Sequence, residues 1–230
     1  MRRAGVLGGM GPEATLAFLG KFHARTRGRD EQERPPLLVD IDPTVPDRNL
    51  AWRGQGPSPA AAIAGMGRRL RHAGADFCVI ACVTAHGYVE RFEEEAGLPL
   101  IRMPDVIADA LATEGRADGS VGLLATTTTI EMKLFQQAFA ARNTALVVPD
   151  EGAQEALMRA IYAIKRGEDD RTSVLEVAGS LMARGARTLL IGCTDLSVLG
   201  ALNLDRCRVV DALDLLADRT LTAIEGSDIS

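Results

Sequence analysis

The sequence has no hydrophobic run that approaches the roughly 20 residues of a transmembrane helix. Its N-terminal segment has no apolar stretch followed by a small-residue cleavage site, as a secretory signal peptide would have. Basic residues form no block, and 26 Lys and Arg against 31 Asp and Glu give a net charge of −5. These absences argue against a membrane or a nucleic acid as partner and predict a cytoplasmic protein.

Cysteine is scarce, and no two cysteines have the Cys-x-x-Cys spacing of many zinc sites. The three histidines also lack the spacing of metal ligands, so we expect no metal site. In a reducing compartment the cysteines should be thiols rather than disulfides. Each cysteine should therefore serve either packing or chemistry. The four are Cys78, Cys82, Cys193 and Cys207.

Hydrophobic residues make up 47% of the chain, and short apolar runs alternate with longer helical patterns. Most of these runs are apolar on both faces, which is typical of parallel strands covered by helices on each side. Capping and breaking residues predict a helix from Ser58-Pro59 to near Gly74 and another from Asp150 to Gly167. The class is therefore α/β, with predicted strands at Ala4–Leu7, Leu37–Ile41, Phe77–Ala81, Leu98–Ile101, Val121–Ala125, Ala145–Val148, Thr188–Ile191 and Cys207–Val210.

Two pairs of segments show internal similarity at nearly the same offset. Gly5–Gly8 precedes a glycine-rich turn, as Gly122–Ala125 precedes a threonine-rich one. Ala81–Thr84 ends one apolar run with a cysteine, and Gly192–Asp195 ends another. The pattern predicts two similar halves, each with a cysteine just past the carboxyl end of a strand. Since open α/β sheets bind ligands at that edge, the two halves should share one cleft.

Cys82 and Cys193 are the candidates for chemistry. A thiol between a strand and a helix faces the helix N-terminal NH groups, which lower its pKa and favour the thiolate. The alternative is that both are small buried hydrophobes, as free cysteines often are. Their matched positions in two halves favour chemistry, whereas Cys78 and Cys207 lie inside or at the start of predicted strands and should serve packing.

The turn at Gly8–Pro12 admits two interpretations. Gly9–Ala14 fits the G-x-G-x-x-A pattern of dinucleotide-binding turns. However, Pro12 removes an NH group that a pyrophosphate would use, and the acidic Asp40 lies farther along the chain than the pattern requires. A tight turn that presents backbone NH groups to a carboxylate is the favoured interpretation.

Further polar residues follow predicted strands or end predicted helices. Asp47-Arg48 on a proline-rich loop is either a carboxylate clamp or a loop salt bridge. Lys165 ends a helical pattern, where a cation is common, and Thr126–Thr129 offers hydroxyl and NH groups but also suits a helix cap. His86 follows Cys82 closely enough to orient the thiol, although a capping or solvent-facing role fits equally well.

Several motifs together are similar to those of the aspartate/glutamate racemases that work without pyridoxal phosphate. The resemblance spans essentially the whole chain and rests on Gly8–Pro12 with Ala14-Thr15, Pro46–Arg48, Ala81–His86, Leu123–Thr126, Ile161–Lys165 and Gly192–Leu196. It implies two α/β domains, each with a parallel four-stranded sheet, residues 1–102 plus 211–230 forming the first and 103–210 the second. It also implies an active site between them, no cofactor, and a homodimer.

The resemblance assigns Cys82 and Cys193 as the proton-transfer pair and places Arg48 and Lys165 near the substrate's side-chain carboxylate. The expected substrate contacts are completed by Met10, Val83, Thr84, Thr126, Thr127 and Thr194, with His86, Asp195 and Asp47 as auxiliary residues. Three positions depart from the family pattern: Val83 stands where Asn is usual, Asp195 where Glu is usual, and Thr128 where many relatives have Gly.

The predicted activity is interconversion of the L and D forms of an acidic amino acid, aspartate or glutamate, by proton transfer between two cysteines. One alternative is a racemase, decarboxylase or cis–trans isomerase on the same scaffold with a less polar substrate. Another is an inactive protein that binds an amino acid. A decarboxylase of this type needs only one thiol, so the presence of both Cys82 and Cys193 favours racemisation.

Overall fold

The computed structural model describes residues 1–113, 120–140, 142, 144–204 and 207–226. It confirms the predicted α/β class, with two parallel sheets flanked by helices. The segments 114–119 and 227–230, which belong to the predicted second and first domains, lie outside the described residues.

The first half is built around a three-stranded parallel sheet in the order β2-β1-β3. Its central strand and β3 are fully buried, as their continuous apolar sequences predict. The elements are β1 (Ala4–Gly8), α1 (Pro12–Arg25), a 3₁₀ helix (Glu31–Glu33), β2 (Leu37–Ile41), α2 (Arg48–Trp52), α3 (Ala60–His72), β3 (Phe77–Ile80), a 3₁₀ helix (Thr84–Tyr88) and α4 (Phe92–Ala96).

The prediction of a fourth strand at Leu98–Ile101 in this sheet is wrong. Leu100 makes only an isolated parallel bridge to Cys78. The Cys78 NH donates to the carbonyl of Pro99, and its own carbonyl accepts from the NH of Ile101. Pro99 has no NH to extend the ladder, and a helix begins at Met103, so the pairing stops after one residue.

The second half contains a four-stranded parallel sheet in the order β5-β4-β6-β7. Its first three strands repeat the order of the first sheet, which agrees with the internal similarity of the sequence. The elements are α5 (Met103–Thr113), β4 (Ser120–Leu124), α6 (Thr127–Glu131), α7 (Leu134–Ala140), β5 (Leu146–Val147), α8 (Glu151–Lys165), α9 (Arg171–Ala183), β6 (Ala186–Ile191), a 3₁₀ helix (Thr194–Leu199), β7 (Arg208–Asp211) and α10 (Ala212–Ile224).

Both predicted helix starts are found close to their expected positions. The Asp150 carboxylate accepts from the NH of Ala153 and caps α8. The Ser58 hydroxyl accepts from the NH of Ala60, the first residue of α3. A side-chain cap therefore starts α8, whereas α3 has Pro59 as its N-cap residue and no side-chain cap.

The main hydrophobic core is shared by the two halves. Phe18, Phe22 and Phe77 from the first half and Phe135 and Phe139 from the second belong to one buried cluster. Helix α10 packs against α1 and α5, which the predicted boundaries assign to different domains. The division into two domains stays a prediction. No helix among the described residues combines the length and apolar character needed to span a membrane.

Candidate active site

The loops that follow β3 and β6 lie together, and one cavity receives a cysteine from each. Cys82 and Cys193 are 6% and 5% exposed, and both line this cavity. Thr194 donates its hydroxyl proton to the carbonyl of Ala81 at 3.0 Å, which ties the second cysteine loop to the end of β3. Each loop lies at the carboxyl end of a strand, where open α/β sheets bind ligands, and β3 and β6 hold matching places beside β1 and β4.

The cavity is narrow, with a volume of about 10 Å³, roughly what one water molecule needs. A larger cavity of about 750 Å³ lies between α5 and α10, but it contains none of the predicted site residues. The narrow cavity is lined by Met10, Arg48, Asn49, Cys82, Val83, Thr84, Thr126, Lys165, Cys193, Thr194 and Asp195.

Cys193 lies in an electrostatic environment that favours the thiol. Its Sγ donates to Asp195 Oδ2 at 3.7 Å. Burial is the main cause that raises the pKa of Cys193, and the Asp195 carboxylate raises it further, while Lys165 opposes the shift. The expected lowering of the pKa is therefore wrong for Cys193, because burial and a neighbouring carboxylate outweigh the 3₁₀ helix that begins at Thr194.

Lys165 and Asp195 form the buried ion pair of the cavity. Lys165 Nζ lies 2.7 Å from Asp195 Oδ2, and the two side chains are 19% and 8% exposed. Burial alone would lower the pKa of Lys165, but attraction to Asp195, Cys193 and Cys82 outweighs it and raises the pKa overall. Lys165 thus stays cationic within electrostatic range of both sulfur atoms.

Arg48 is buried beneath the glycine-rich turn Gly8–Pro12. Its guanidinium donates to the carbonyls of Val45, Pro46 and Met10 at 3.1–3.3 Å. A guanidinium has five N–H donors, so these contacts leave donors for a ligand. Arg48 both holds the loop and brings a cation to the cavity. The alternative of a salt bridge with Asp47 is not seen in the described structure, since Asp47 instead caps α2 through the NH groups of Asn49 and Leu50.

The turn at Gly8–Pro12 fits closely against its surroundings. A Cβ on Gly9 would lie 2.4 Å from the backbone of Asp42, and one on Gly11 would lie 2.8 Å from Asp195 Oδ1. Gly9 has a φ of +88°, a conformation that glycine tolerates best. The Gly9 NH donates to Thr15 Oγ1, so that group is used within the protein. The turn brings Met10 and the Gly11 backbone against the Lys165–Asp195 pair.

Three threonine hydroxyls join the two halves on another side of the cavity. Thr84, Thr126 and Thr129 lie with their Oγ1 atoms 3.0 Å apart in each pair. Thr126 also caps α6 by accepting from the NH of Thr129. Thr84 and Thr126 line the cavity beside Val83, which is 1% exposed and offers neither a donor nor an acceptor in its side chain.

Three predicted site residues lie outside the cavity lining. His86 is buried beside a different cavity, and burial, with a contribution from Arg102, lowers its pKa to about 3, so it is neutral there. Thr127 accepts from Gln154 Nε2, and its NH points to Met158 Sδ. Asp47 acts through α2 and also accepts from the Tyr162 hydroxyl at 3.4 Å. None of the three lines the cavity that holds the cysteines.

The sequence reasoning missed Asn49. It follows Arg48 directly, lines the cavity, and is 6% exposed. Its Nδ2 donates to the Tyr162 hydroxyl at 3.2 Å, a contact between α2 and α8. The one feature of the sequence that could have identified Asn49 is its position directly after Arg48, the predicted carboxylate clamp. No three His, Cys, Asp or Glu side chains of the described residues cluster in a way that could hold a metal ion.

Comparisons with known proteins agree on one family. Residues 7–220 match the family described as Asp/Glu/Hydantoin racemase. The solved aspartate racemase of Picrophilus torridus is 26% identical, covers 98% of this chain and 95% of its own, and superposes with a TM-score of 0.85. The broad specificity amino-acid racemase RacX of Bacillus subtilis (strain 168) is 23% identical over 226 residues, 95% of this chain and 96% of that protein.

A third relative matches more locally. An uncharacterized protein of the pnlA 3′ region in Pectobacterium carotovorum subsp. carotovorum is 35% identical over 81 residues, and the alignment spans 34% of this chain and 54% of that protein. Two of these three relatives match along nearly their whole length, and both are named as amino-acid racemases. With a family match from Leu7 to Thr220, the chain belongs to the Asp/Glu/Hydantoin racemase family.

Proposed function

We propose that the chain is a cofactor-independent racemase of acidic amino acids, in which Cys82 and Cys193 exchange a proton with opposite faces of the α-carbon. The single observation that carries this proposal is that both thiols line one small cavity together with the two cationic side chains Arg48 and Lys165. A pair of acid/base groups defines a two-sided proton transfer, and a pair of cations suits a substrate with two carboxylates.

The proposed reaction balances in protons. One cysteine, as thiolate, removes the α-hydrogen and becomes a thiol, while the other, as thiol, donates its proton to the opposite face and becomes a thiolate. The reverse reaction exchanges the two roles. Because burial and Asp195 raise the pKa of Cys193, we propose that Cys193 starts as the acid and that Cys82 starts as the base.

The intermediate carries negative charge that passes into the substrate's α-carboxylate. Backbone NH groups of the glycine and threonine turns, which supply Met10 and Thr126 to the cavity, would stabilise this charge. Arg48, through the donors that its loop contacts leave free, and Lys165 would hold the side-chain carboxylate and so fix which carbon lies between the sulfur atoms.

The cavity must widen for an amino acid to enter. Helix α2 contacts the second half through Asn49 and Tyr162 and through Trp52, whose Nε1 donates to Glu131 Oε2 at 2.6 Å. Since the pair Trp52–Glu131 is exposed and contacts of this kind are weak in water, we propose that α2 moves to admit the substrate.

A second candidate function is racemisation of a less polar amino acid. The observation that favours it is Val83, an apolar side chain in the cavity wall beside Cys82. Both candidates share the thiol chemistry and differ only in the substrate.

The test is solvent-deuterium incorporation at the α-carbon, followed by NMR over a panel of amino acids of both configurations. We expect exchange with aspartate or glutamate, together with formation of the other enantiomer. Exchange confined to less polar amino acids would select the second candidate. Binding without exchange for every amino acid would mean that the protein is a binding module and would overturn the proposal.

Two further parts of the proposal concern its setting. We propose a homodimer, as the family resemblance implies, and light scattering of the purified protein tests it. We also propose that the protein works in the cytoplasm, where its four cysteines would stay reduced. Fractionation of the source cells with an antibody against the chain tests that location.

A further inference from the structure

Asn49 is a buried amide in the cavity wall that holds the two cysteines. It is the second residue of α2, and its side chain is 6% exposed. It shares the cavity with Arg48, which precedes it in sequence, and with Lys165 and both thiols. An amide in this place can bind a ligand through either its NH₂ group or its carbonyl oxygen.

The hydrogen bonds of Tyr162 determine which end of the amide is free. The Tyr162 hydroxyl has one proton, which it donates to Asp47 Oδ2. The same hydroxyl oxygen accepts from Asn49 Nδ2 at 3.2 Å. The NH₂ group of Asn49 therefore faces α8, and the carbonyl oxygen is the end that remains.

That carbonyl oxygen, Oδ1, is buried and has no hydrogen-bond partner among the described residues. An acceptor buried without a partner typically costs about 1–3 kcal/mol. Such a cost in a ligand cavity is explained if a ligand supplies the missing donor. The neighbouring Val83 has no donor to supply. Arg48 donates to backbone carbonyls and makes no hydrogen bond to Asn49 Oδ1.

We propose that Asn49 Oδ1 accepts a hydrogen bond from the α-ammonium group of the substrate. This inference rests on the proposed function and assigns a residue to the one charged group of an amino acid that Arg48 and Lys165 cannot bind. A carboxylate has no N–H to offer an acceptor, whereas an ammonium has three. Asn49 thereby makes the site select an α-amino acid over the dicarboxylate that lacks the amino group.

The test compares each amino acid with its counterpart that lacks the amino group, aspartate with succinate and glutamate with glutarate. Binding is measured by calorimetry on the intact wild-type protein and on Asn49→Leu, which keeps the side-chain volume and removes both polar groups. We expect the wild type to prefer the amino acid. In Asn49→Leu, affinity for the amino acid should fall about tenfold to 100-fold, the loss of one charge-assisted bond, while affinity for the dicarboxylate changes less than about threefold.

Asn49→Asp is the matched control, because it removes the NH₂ group but keeps an acceptor oxygen at the same place. We expect it to retain the preference for the amino acid. Equal losses for amino acid and dicarboxylate in Asn49→Leu, or an unchanged preference, would overturn the assignment. Loss of the preference in Asn49→Asp to the same extent as in Asn49→Leu would also overturn it. Thermal unfolding of each variant shows whether it is folded. If Asn49→Leu is not folded, the binding of the amino acid and the dicarboxylate is compared between the wild type and Asn49→Asp.

The proposed function and this inference fail in different ways. If the wild type exchanges the α-hydrogen with deuterium but Asn49→Leu keeps the wild-type preference, only the assignment of Asn49 is wrong. If the wild type binds less polar amino acids instead, the same comparison is made with those amino acids and the corresponding carboxylic acids. If the wild type binds no amino acid, both the function and the role of Asn49 are wrong.

Discussion

The loops that carry Cys82 and Cys193 occupy equivalent places in two similar sheets but differ in their electrostatics. Each loop follows a buried parallel strand, β3 beside β1 and β6 beside β4, and leads into a 3₁₀ helix. Two residues after the cysteine, the first loop has Thr84 and the second has Asp195. Thr84 shares its hydroxyl with two other threonines, whereas Asp195 binds Lys165 and accepts from the Cys193 thiol.

A repeated scaffold can thus surround two equivalently placed thiols with different charges. The carboxylate of Asp195 stabilises the protonated form of Cys193, in addition to the effect of burial, and Thr84 brings no charge to Cys82. A racemase whose two thiols lie in different electrostatic surroundings should differ in the pH dependence of kcat in its two directions, because each direction starts with a different cysteine as base.

Removal of either thiol should have the largest effect. In Cys82→Ala or Cys193→Ala one face of the α-carbon has no acid or base, so racemisation should fall by at least about 10²–10⁴-fold, the usual contribution of such a group. Chiral chromatography of the product measures this loss. Cys82→Ser and Cys193→Ser should keep deuterium exchange from one enantiomer only, the opposite one in each variant.

Cys207→Ala is the control for these variants, since Cys207 directly precedes β7 and lies outside the cavity. It should keep wild-type activity. Full racemisation by Cys82→Ala would contradict the two-thiol mechanism, and loss of activity in Cys207→Ala would show that the assay reports thiol damage in general.

Removal of the Arg48 guanidinium should have the next largest effect. Arg48→Ala should lower kcat/KM for aspartate or glutamate by about tenfold to 150-fold, equivalent to about 1.5–3 kcal/mol for a charge-assisted bond. Because Arg48 also donates to the carbonyls of Val45, Pro46 and Met10, its loss should destabilise the protein as well. Steady-state kinetics and thermal unfolding must both be measured.

Arg48→Lys separates the two roles of Arg48. It keeps the charge but not the planar fork, so it should retain more activity on acidic substrates than Arg48→Ala. If both variants remain folded and show wild-type kcat/KM for aspartate and glutamate, Arg48 does not bind the substrate's side-chain carboxylate.

Neutralising Asp195 should lower the pKa of Cys193. In Asp195→Asn the carboxylate that helps to raise the pKa of Cys193 is absent, while Lys165, which lowers it, remains. The pKa of Cys193 should therefore fall, by about one unit or 1.4 kcal/mol, and the thiolate should form at lower pH. Ultraviolet absorbance of the thiolate during a pH titration measures this shift, and the step that disappears in Cys193→Ser identifies Cys193.

Asp214→Asn is the control for this titration, because Asp214 pairs with Lys21 on the surface, away from the cavity. It should leave the Cys193 titration unchanged. A pKa of Cys193 that rises or stays constant in Asp195→Asn would mean that burial alone sets the acidity of this thiol, and the proposed asymmetry would lose its electrostatic basis.

The features that could be predicted from sequence are those determined locally. Continuous apolar runs locate the strands, and the Asp150 carboxylate starts α8 where its spacing predicts. The segment Leu98–Ile101 has the length and composition of a strand, but Pro99 and the start of α5 at Met103 limit its pairing to one residue.

Features that depend on distant contacts could not be predicted in the same way. The raised pKa of Cys193 depends on how deeply the fold buries the thiol, which its local sequence does not specify. The orientation of Asn49 depends on Tyr162, which comes from α8 in the other half of the chain. His86 is the converse case, since its closeness to Cys82 in sequence suggested a shared site but its side chain is buried beside another cavity.

The smallest expected effect concerns Val83, the apolar residue beside the first thiol. An amide there would offer a donor and an acceptor to the substrate, and one neutral hydrogen bond contributes about 0.5–1.5 kcal/mol. If the substrate is an acidic amino acid, Val83→Asn should raise kcat/KM about three- to tenfold, equivalent to about 0.6–1.4 kcal/mol. Val83→Leu, which stays apolar, is the control and should give no gain.

If the substrate instead has an apolar group at this wall, Val83→Asn should lower the kcat/KM for that substrate, because the buried amide would lack a partner. No gain on aspartate or glutamate, with a loss on a less polar amino acid, would reject the acidic substrate and leave the two-thiol mechanism intact, because the assay would still report proton exchange at the α-carbon.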